Sequence, residues 1–306
     1  MRKGIYMDIK YTIKEASKAL GMDMCGFASI DRFDESLPGR HPLDILPGCK
    51  SVIVIGTRLL NGAVQANFRA YENDRFDLKG IYGTYGYTML PNFALTYACY
   101  AVAQVIERNT GETATPLSTG PMTNGVQISI RHSAVAAGLG EFGWLSIVLT
   151  PEFGPRNRFG VILTTVAIEP DPLYSGKKLC DPEKCTVCTD VCPTKAIGVY
   201  GSEDVRSCKL GKYGKVNFAR CQVAADGLRK EFGADQDWID TYDATDQDIM
   251  DVRKKRPFKE GGLQHFETFH CGLCLSYCPA GKWKEKFLDS NLSHGAYDVI
   301  ERWKNM

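Results

Sequence analysis

Residues Cys180 to Pro193 read CDPEKCTVCTDVCP, which places four cysteines in the order C-x4-C-x2-C-x3-C before a proline. The spacing C-x2-C-x3-C-P is typical of an iron–sulfur ligand run, because one loop can wrap a cubane and the proline then turns the chain away. A second run of this form, CGLCLSYCP, stands at Cys271 to Pro279. The pair predicts two [4Fe-4S] clusters in the C-terminal part of the chain.

In paired runs of this kind, as in bacterial two-cluster ferredoxins, the fourth cysteine of each run binds the cluster of the other run. One upstream thiol is missing from the second run, and the chain offers Cys208 or Cys221, of which we favour Cys221. Cys180 is the least typical of these ligands, because the four residues that follow it, with Pro182 among them, require a wider loop than the usual two-residue gap. The first predicted ligand set is Cys180, Cys185, Cys188 and Cys278. The second predicted set is Cys192, Cys221, Cys271 and Cys274.

Disulfides and structural zinc are the other common uses of clustered cysteines. No export signal is visible at the N-terminus, so the predicted location is the cytoplasm, where disulfides are rare. Structural zinc sites usually pair C-x2-4-C knuckles or include histidine, and two C-x2-C-x3-C-P runs do not match that pattern. Cys25, Cys49 and Cys99 lie among apolar residues outside the runs and are predicted to pack in the core.

The composition is that of an ordinary soluble globular protein. The 306 residues include 44% hydrophobic residues, which is enough for one large domain or two modest ones. Lys+Arg 37 against Asp+Glu 36 leaves a formal net charge of +1, so no global field would recruit nucleic acid or an anionic membrane. The sequence offers no obvious run of membrane-spanning length. We therefore expect no membrane partner and do not favour nucleic acid as a partner.

Hydrophobic periodicity predicts the main elements. Helical spacing followed by a glycine predicts helices over residues 11–20 and 93–109, the latter capped by Asn92. β-branched and apolar runs predict buried strands over 51–56 and 160–168. Further predicted elements are a strand at 24–30, a helix at 129–137, a strand at 144–150 and a helical stretch at 205–233.

A glycine- and tyrosine-rich stretch lies at residues 80–90, GIYGTYGYTML. It alternates glycine with Tyr82, Tyr85 and Tyr87. Small-plus-aromatic sequence of this kind either lines a flat cofactor or forms a surface loop. The three tyrosines are candidate proton donors for a reaction at such a cofactor.

A second glycine-rich stretch contains Gly138, Gly140 and Gly143 in the nominal dinucleotide spacing G-x-G-x-x-G. A dinucleotide loop follows a strand and opens a helix, whereas here a helix precedes and a strand follows, so nicotinamide binding is not favoured. Glycines instead predict a close approach of the backbone to a large planar ligand. Arg156 and Arg158 would meet amide or phosphate groups of that ligand.

The chain as a whole resembles the superfamily of cobalamin-dependent iron–sulfur reductases that includes epoxyqueuosine reductase and the reductive dehalogenases. The resemblance covers most of the chain and is carried by both cysteine runs and by four segments before them. These segments are IKEASKALGMDMCGFASI (13–30), PGCKSVIVIG (47–56), ISIRHSAVAAGLGEFGW (128–144) and LTPEFGPRNRFGVILTT (149–165).

The resemblance implies an α/β fold of the α+β kind. Residues 1–172 would form a nitroreductase-like core that holds base-off cobalamin, and residues 173–306 would form a ferredoxin-like domain with two [4Fe-4S] clusters. Cysteine-ligated cubanes reach the very negative potentials that cobalt reduction needs, and a ferredoxin or flavodoxin would supply the electrons. The implied activity is that of an oxidoreductase acting on a small substrate. The implied cofactor-binding residues are Arg131, His132, Gly138, Gly140, Gly143, Arg156 and Arg158, although a structural role suits His132 equally well.

Two departures from the family narrow the expected substrate. Epoxyqueuosine reductases carry an aspartate proton donor where this chain has Asn124, and an amide cannot donate a proton as a general acid. The chain also ends soon after Cys278, without the helical extension that those enzymes use towards tRNA. We therefore expect a small molecule rather than tRNA epoxyqueuosine.

Asn124 at this candidate catalytic position also favours an alternative function. The protein would then be a corrinoid-binding carrier, or a reductive activator of another corrinoid protein, without a substrate of its own. A flavin-binding enzyme with two clusters is a weaker alternative, because the chain carries no separate flavin signature.

Overall fold

The computed structural model describes residues 8–117, 127–203, 205–232, 239–255 and 271–282. Short 3-10 segments at Ile30–Phe33, Phe76–Leu78 and Lys230–Phe232 and a π-helical segment at Tyr82–Tyr87 accompany the regular elements. The helices are α1 (Ile9–Ala19), α2 (Pro42–Ile45), α3 (Asn61–Glu72), α4 (Lys79–Ile81), α5 (Met89–Thr110), α6 (Ile130–Ala136), α7 (Val187–Asp190), α8 (Phe218–Ala225), α9 (Asp246–Lys255) and α10 (Leu273–Tyr277). The strands are β1 (Met24–Ser29), β2 (Ser51–Arg58), β3 (Ala114–Leu117), β4 (Glu141–Phe142), β5 (Val148–Leu149), β6 (Asn157–Thr164), β7 (Val205–Cys208) and β8 (Gly211–Gly214).

A four-stranded sheet forms the centre of the core. Its strand order is β1-β2-β6-β3, and each neighbouring pair is antiparallel. Side chains of β2 alternate between the two faces: Val52 and Val54 belong to one hydrophobic cluster, and Ile53 and Ile55 to another. Helix α6 covers the first face, and helices α1 and α5 cover the second. Both faces are buried, which explains why β2 reads as a continuous apolar run.

Helices α4 and α5 and the π-helical segment between them form one helical run, Lys79–Thr110. Leu95, Cys99, Val102 and Ile106 of α5 are fully buried against the sheet. By length and composition this run passes as a membrane span, with a mean hydropathy of 1.3 over an 18-residue window, so the expectation that the chain offers no such run is corrected. Core helices of soluble proteins pass the same test, and 44% of the window is buried, so this evidence for a membrane is weak.

The cysteine-rich part differs from its predicted secondary structure. The helical prediction over 205–233 is wrong for its first half, where β7 and β8 form an antiparallel hairpin, and correct for α8. Gly211 at the hairpin turn has a φ of 141°, a conformation that a helix does not tolerate and glycine supplies. The backbone N–H of Gly214 then donates to the carbonyl of Trp144 and ties the hairpin to the core.

The two predicted parts of the chain share hydrophobic clusters. Leu273 and Tyr277 of α10 pack with Phe68 of α3, and Cys192 and Cys278 pack with Trp144. The boundary between 172 and 173 therefore crosses a shared core, and the two domains 1–172 and 173–306 stay a prediction. The mixed α/β class is confirmed, whereas the ferredoxin-like domain also stays a prediction.

Candidate functional site

The predicted ligand cysteines lie in two neighbouring groups. In the first, Cys188 interacts electrostatically with Cys180, Cys185 and Cys278. In the second, Cys274 interacts with Cys192, Cys221 and Cys271. Cys274 also interacts with Cys188, so the two groups adjoin each other. Cys208 lies instead on the β7–β8 hairpin, with its Sγ 3.5 Å from the carbonyl of Gly211, and packs against the cluster that contains Phe142.

Burial makes these thiols hard to deprotonate unless a positive charge lies nearby. It raises the pKa of Cys221 to about 12 and the pKa of Cys278 to about 11, and it raises the pKa of Cys274 well above its ordinary value. Thiolates therefore form here only against a positive partner such as iron. Backbone N–H groups already face one sulfur in each group: Trp144 donates to Cys180 Sγ at 3.3 Å, and Ala196 donates to Cys192 Sγ at 3.2 Å.

These features match the donor set that a cubane requires. Among the described residues, no group of three or more His, Cys, Asp or Glu side chains is arranged to hold a single metal ion. Two neighbouring groups of four thiols, each with a backbone N–H donor on one sulfur, are the donor set that two cubanes would need.

A cavity of about 480 Å³ adjoins the second cysteine group. Cys192, Cys221, Cys271 and Cys274 all contribute to its wall. Most of the remaining wall is apolar, and the described residues that line it include no histidine. The apolar lining residues include Ile130, Leu145, Ile147, Val148, Ile197 and Val216.

Two of the predicted arginines reach this cavity. Arg131 on α6 donates to the carbonyl and the hydroxyl of Ser146. Arg158 on β6 donates to Asn92 Oδ1 from Nε at 3.2 Å and from Nη2 at 3.1 Å. Both guanidinium groups are thus held at a cavity wall by neutral partners, where they can meet amide or phosphate groups of a bound molecule.

The three predicted tyrosines have three different positions. Tyr87 lines the cavity, and the guanidinium carbon of Arg158 lies 4.6 Å from its ring centroid. Burial raises the pKa of Tyr87, and Arg158 opposes that shift. Tyr82 is fully buried behind it, with the ring centroids 5.8 Å apart, and Tyr85 is 52% exposed on the outer side of the helical run. Only Tyr87 of the three is among the described cavity residues.

Two other predicted residues hold the protein together rather than line the cavity. Arg156 is 3% exposed and donates to the carbonyls of Leu275 at 3.1 Å, Cys278 at 2.9 Å and Ala280. It therefore seats the second cysteine run on the core. The His132 ring contacts Ser129 Oγ at 2.6 Å and Tyr213 Oη at 3.3 Å, which joins α6 to the β7–β8 hairpin.

The glycine stretch approaches its own chain, not the cavity. A methyl group on Gly138 would overlap the carbonyl oxygen of Pro172, and Gly138 has a φ of 75°. A methyl group on Gly140 would overlap the carbonyl oxygen of Leu149, and one on Gly143 would overlap the Leu149 side chain. Internal packing therefore already accounts for these glycines, and their approach to a planar ligand stays a prediction.

Several cavity residues escaped the sequence analysis. Asn92 was expected to cap a helix, but α5 begins at Met89. The side-chain amide oxygen of Asn92 instead accepts a hydrogen bond from Arg158. Ser146 plays the same part for Arg131. Neither residue carries a motif, so only the three-dimensional arrangement identifies them. Asn124 lies outside the described residues.

Comparison with known proteins gives matches of two kinds. The epoxyqueuosine reductase of Bacillus cereus is 25% identical over 224 residues, which cover 66% of this chain and 56% of the relative. The tetrachloroethene reductive dehalogenase of Sulfurospirillum multivorans is 40% identical over 79 residues, 25% of this chain and 15% of the relative. The chain thus spans little more than half the length of the first relative and a small part of the second. No family model matches the chain.

Solved structures of the same two kinds of protein are similar to this fold. An epoxyqueuosine reductase in complex with a tRNA-Tyr epoxyqueuosine-modified stem loop matches with a TM-score of 0.51 at 20% identity, covering 96% of this chain and 79% of that one. A reductive dehalogenase whose structure suggests a mechanism for B12-dependent dehalogenation matches with a TM-score of 0.50 at 17% identity, covering 73% and 30%.

The relatives that match by sequence are reductases, which confirms the predicted oxidoreductase class. Within that class its relatives are the epoxyqueuosine reductases and the reductive dehalogenases, which confirms the predicted resemblance. One of these solved neighbours is in complex with a tRNA stem loop, so the comparisons give no support to the prediction against nucleic acid.

Proposed function

We propose that this chain is a reductase that carries two [4Fe-4S] clusters and a base-off corrinoid. Its proposed substrate is a small molecule. The observation that carries the proposal is the cavity wall: one of the two cysteine groups opens directly onto an apolar space with fixed arginines. A cofactor in that space would lie beside the second group of thiols without an intervening layer of protein. The predicted cytoplasmic location is kept as part of the proposal.

The proposed cluster ligands are the two sets of cysteines described above, with Cys221 and not Cys208 in the second. Support comes from the electrostatic interactions that Cys221 makes with Cys271 and Cys192. When bound, the clusters would supply electrons at low potential and the corrinoid would supply the reducing metal centre. The electrons would come from a low-potential donor such as a ferredoxin or flavodoxin.

The chain contributes binding groups and a proton. Arg131 and Arg158 would bind amide or phosphate groups at the edge of the corrinoid, because both are already oriented at the cavity wall. Tyr87 would donate its Oη proton to the substrate. Its raised pKa keeps the proton on the oxygen until donation, and the neighbouring Arg158 would stabilise the phenolate that remains.

A second candidate function is reduction of tRNA epoxyqueuosine. The match that favours it is the epoxyqueuosine reductase structure that covers 96% of this chain. The first candidate keeps Asn124 as its sequence argument, since an amide is a poor substitute for an acid. The carrier or activator function is a third outcome and is distinguished by an absence of turnover.

The test is an anaerobic reconstitution of the full chain with iron, sulfide and cobalamin, followed by ultraviolet–visible and EPR spectroscopy during reduction. We expect spectra of two clusters and of base-off cobalt, and cobalt reduction by the clusters. Cluster spectra without any cobalt change would reject the corrinoid function. Turnover is then compared between halogenated aromatics and an epoxyqueuosine stem loop; turnover of the stem loop alone would select the second candidate.

The variant Tyr87→Phe tests the proton donor in the same assay. We expect cluster and corrinoid spectra to be retained and turnover of a small substrate to fall about 100-fold or more, the usual contribution of a general acid. The matched control is Tyr85→Phe, whose side chain faces outward. Equal activity of the two variants would remove Tyr87 from the mechanism.

A further inference from the structure

Lys79 is a lysine that folding has removed entirely from water. It stands at the start of the helical run Lys79–Thr110, and its exposed fraction is 0%. Among the described residues, the only other buried basic side chain is that of Arg156. Lysine is rarely fully buried, because an ammonium group loses strong hydration there.

The surroundings of Lys79 connect it to the second cysteine group. Its Nζ donates to the carbonyl of Phe232 at 3.0 Å and lies 4.7 Å from the ring centroid of Tyr71. It interacts electrostatically with Cys271, and the hydroxyl of Tyr71 interacts with the Cys271 thiol. Asn67 Nδ2 donates to the Cys271 carbonyl at 3.0 Å and fixes the position of this cysteine.

Burying an ammonium group costs free energy, and a negative charge nearby reduces that cost. The negative charge at Cys271 grows when a thiolate-bound cluster takes up an electron. The potential of such a cluster depends on nearby charge, on hydrogen bonds to its sulfurs and on exclusion of water. Nearby charge is the condition met at Cys271, because the buried Lys79 acts on its sulfur and the buried hydroxyl of Tyr71 adds a dipole.

We propose that Lys79, with Tyr71 as its neighbour, raises the reduction potential of the cluster held by Cys192, Cys221, Cys271 and Cys274. The inference rests on the proposed function for the existence and ligands of that cluster. Lys79 acts here as a positioning residue, because it touches neither substrate nor the cavity. The step concerned is the uptake of one electron from an external low-potential donor, and no bond forms or breaks.

Arg156 occupies the corresponding place beside Cys278, but it is less suitable for a test. Its guanidinium group holds three carbonyls of the second cysteine run, so its removal would disturb the fold as well as the charge. Lys79 Nζ donates to the carbonyl of Phe232, and a glutamine can retain a donor there. Lys79→Gln therefore removes the charge with the least loss of packing.

The experiment is an EPR-monitored redox titration of the reconstituted full chain without corrinoid. Wild type is expected to show two titration steps, one for each cluster. In Lys79→Gln one step should move to a more negative potential and the other should keep its wild-type value. The control Lys18→Gln removes an exposed lysine of α1, a helix that packs on the sheet and not on the cysteine runs, and it should leave both steps unchanged.

Tyr71→Phe keeps the ring and removes the hydroxyl, and it should move the same step in the same direction by a smaller amount. Unchanged steps in Lys79→Gln, or a move to a more positive potential, would overturn the inference. If Lys79→Gln does not assemble two clusters, Tyr71→Phe decides, and an unchanged step in it overturns the inference. Failure of the wild type to assemble two clusters would instead reject the proposed function before any variant is compared.

Discussion

Three arginines within one stretch of sequence differ in what surrounds them. Arg156 is buried under the second cysteine run, while Arg131 and Arg158 face the cavity from a helix and a strand. Desolvation lowers the pKa of Arg156 to about 9, against the interaction with Cys278 that raises it. Identical side chains thus serve for packing at one position and line a cavity at two others, and only their contacts separate the cases.

The choice between Cys208 and Cys221 gives a prediction at this scale. Cys221→Ala should lose one of the two clusters, hence about half of the bound iron, because a cubane with three thiolates is poorly held. Cys208→Ala should retain both clusters, since its sulfur lies on the hairpin beside Gly211. Iron and sulfide analysis after anaerobic reconstitution checks this. Loss of iron in Cys208→Ala with full content in Cys221→Ala would reverse the assignment.

At the scale of elements, periodicity located the buried strands and helices well. Helix α1, strands β1 and β2 and helix α6 lie within about two residues of their predicted bounds, because each has one strong apolar pattern. The 144–150 strand shrinks to Val148–Leu149, and the 205–233 helix becomes a hairpin and a helix. The elements observed in these two segments are short. Their shape depends on contacts with residues distant in sequence, which no local pattern encodes.

Glycine packing makes a prediction about one element. Gly140→Ala should destabilise the protein by about 2 kcal/mol or more, because the added methyl group meets a backbone oxygen that cannot move aside. Gly62→Ala in α3 should raise stability by about 0.5 kcal/mol, since open space surrounds that position. Urea unfolding of the cluster-loaded variants measures both. A neutral Gly140→Ala would mean that the close approach to Leu149 is not a constraint.

At the scale of the whole molecule, the candidate site joins residues that are far apart in sequence. The approach of the two cysteine runs to each other could be expected from their spacing, because ligand spacing is a strict local requirement, whereas their ligand sets stay a prediction. The cavity could not, because Asn92, Ser146 and Phe159 reach it from separate elements and bear no pattern of their own. The proposed site is therefore a property of the assembled core and not of any one motif.

Burial of the thiols predicts a pH dependence of stability. The pKa of Cys221 rises from 9.0 to about 12 and that of Cys278 from 9.0 to about 11 in the folded chain. The folded state without clusters therefore keeps protons that the unfolded state releases above about pH 9, and stability falls as the pH rises from there. Each such group contributes about 1.4 kcal/mol per pH unit within its window.

Urea unfolding between about pH 8 and pH 10 checks this prediction in cluster-free and cluster-loaded protein. The cluster-free protein should lose stability more steeply, because iron-bound thiolates do not titrate. Cluster-free Cys221→Ala is the matched control and should show a shallower slope than cluster-free wild type. Equal slopes in all three proteins would contradict the assignment of the effect to these thiols.

The packing of the second cysteine run against the core affects the lifetime of the folded protein. Each proposed cubane joins the two runs, so together they close the long loop between them and reduce the freedom of the unfolded chain. Oxygen damage to a cubane would open that loop and leave the buried α10 residues Leu273 and Leu275 within reach of proteases. Loss of a cubane would therefore shorten the lifetime of the folded protein.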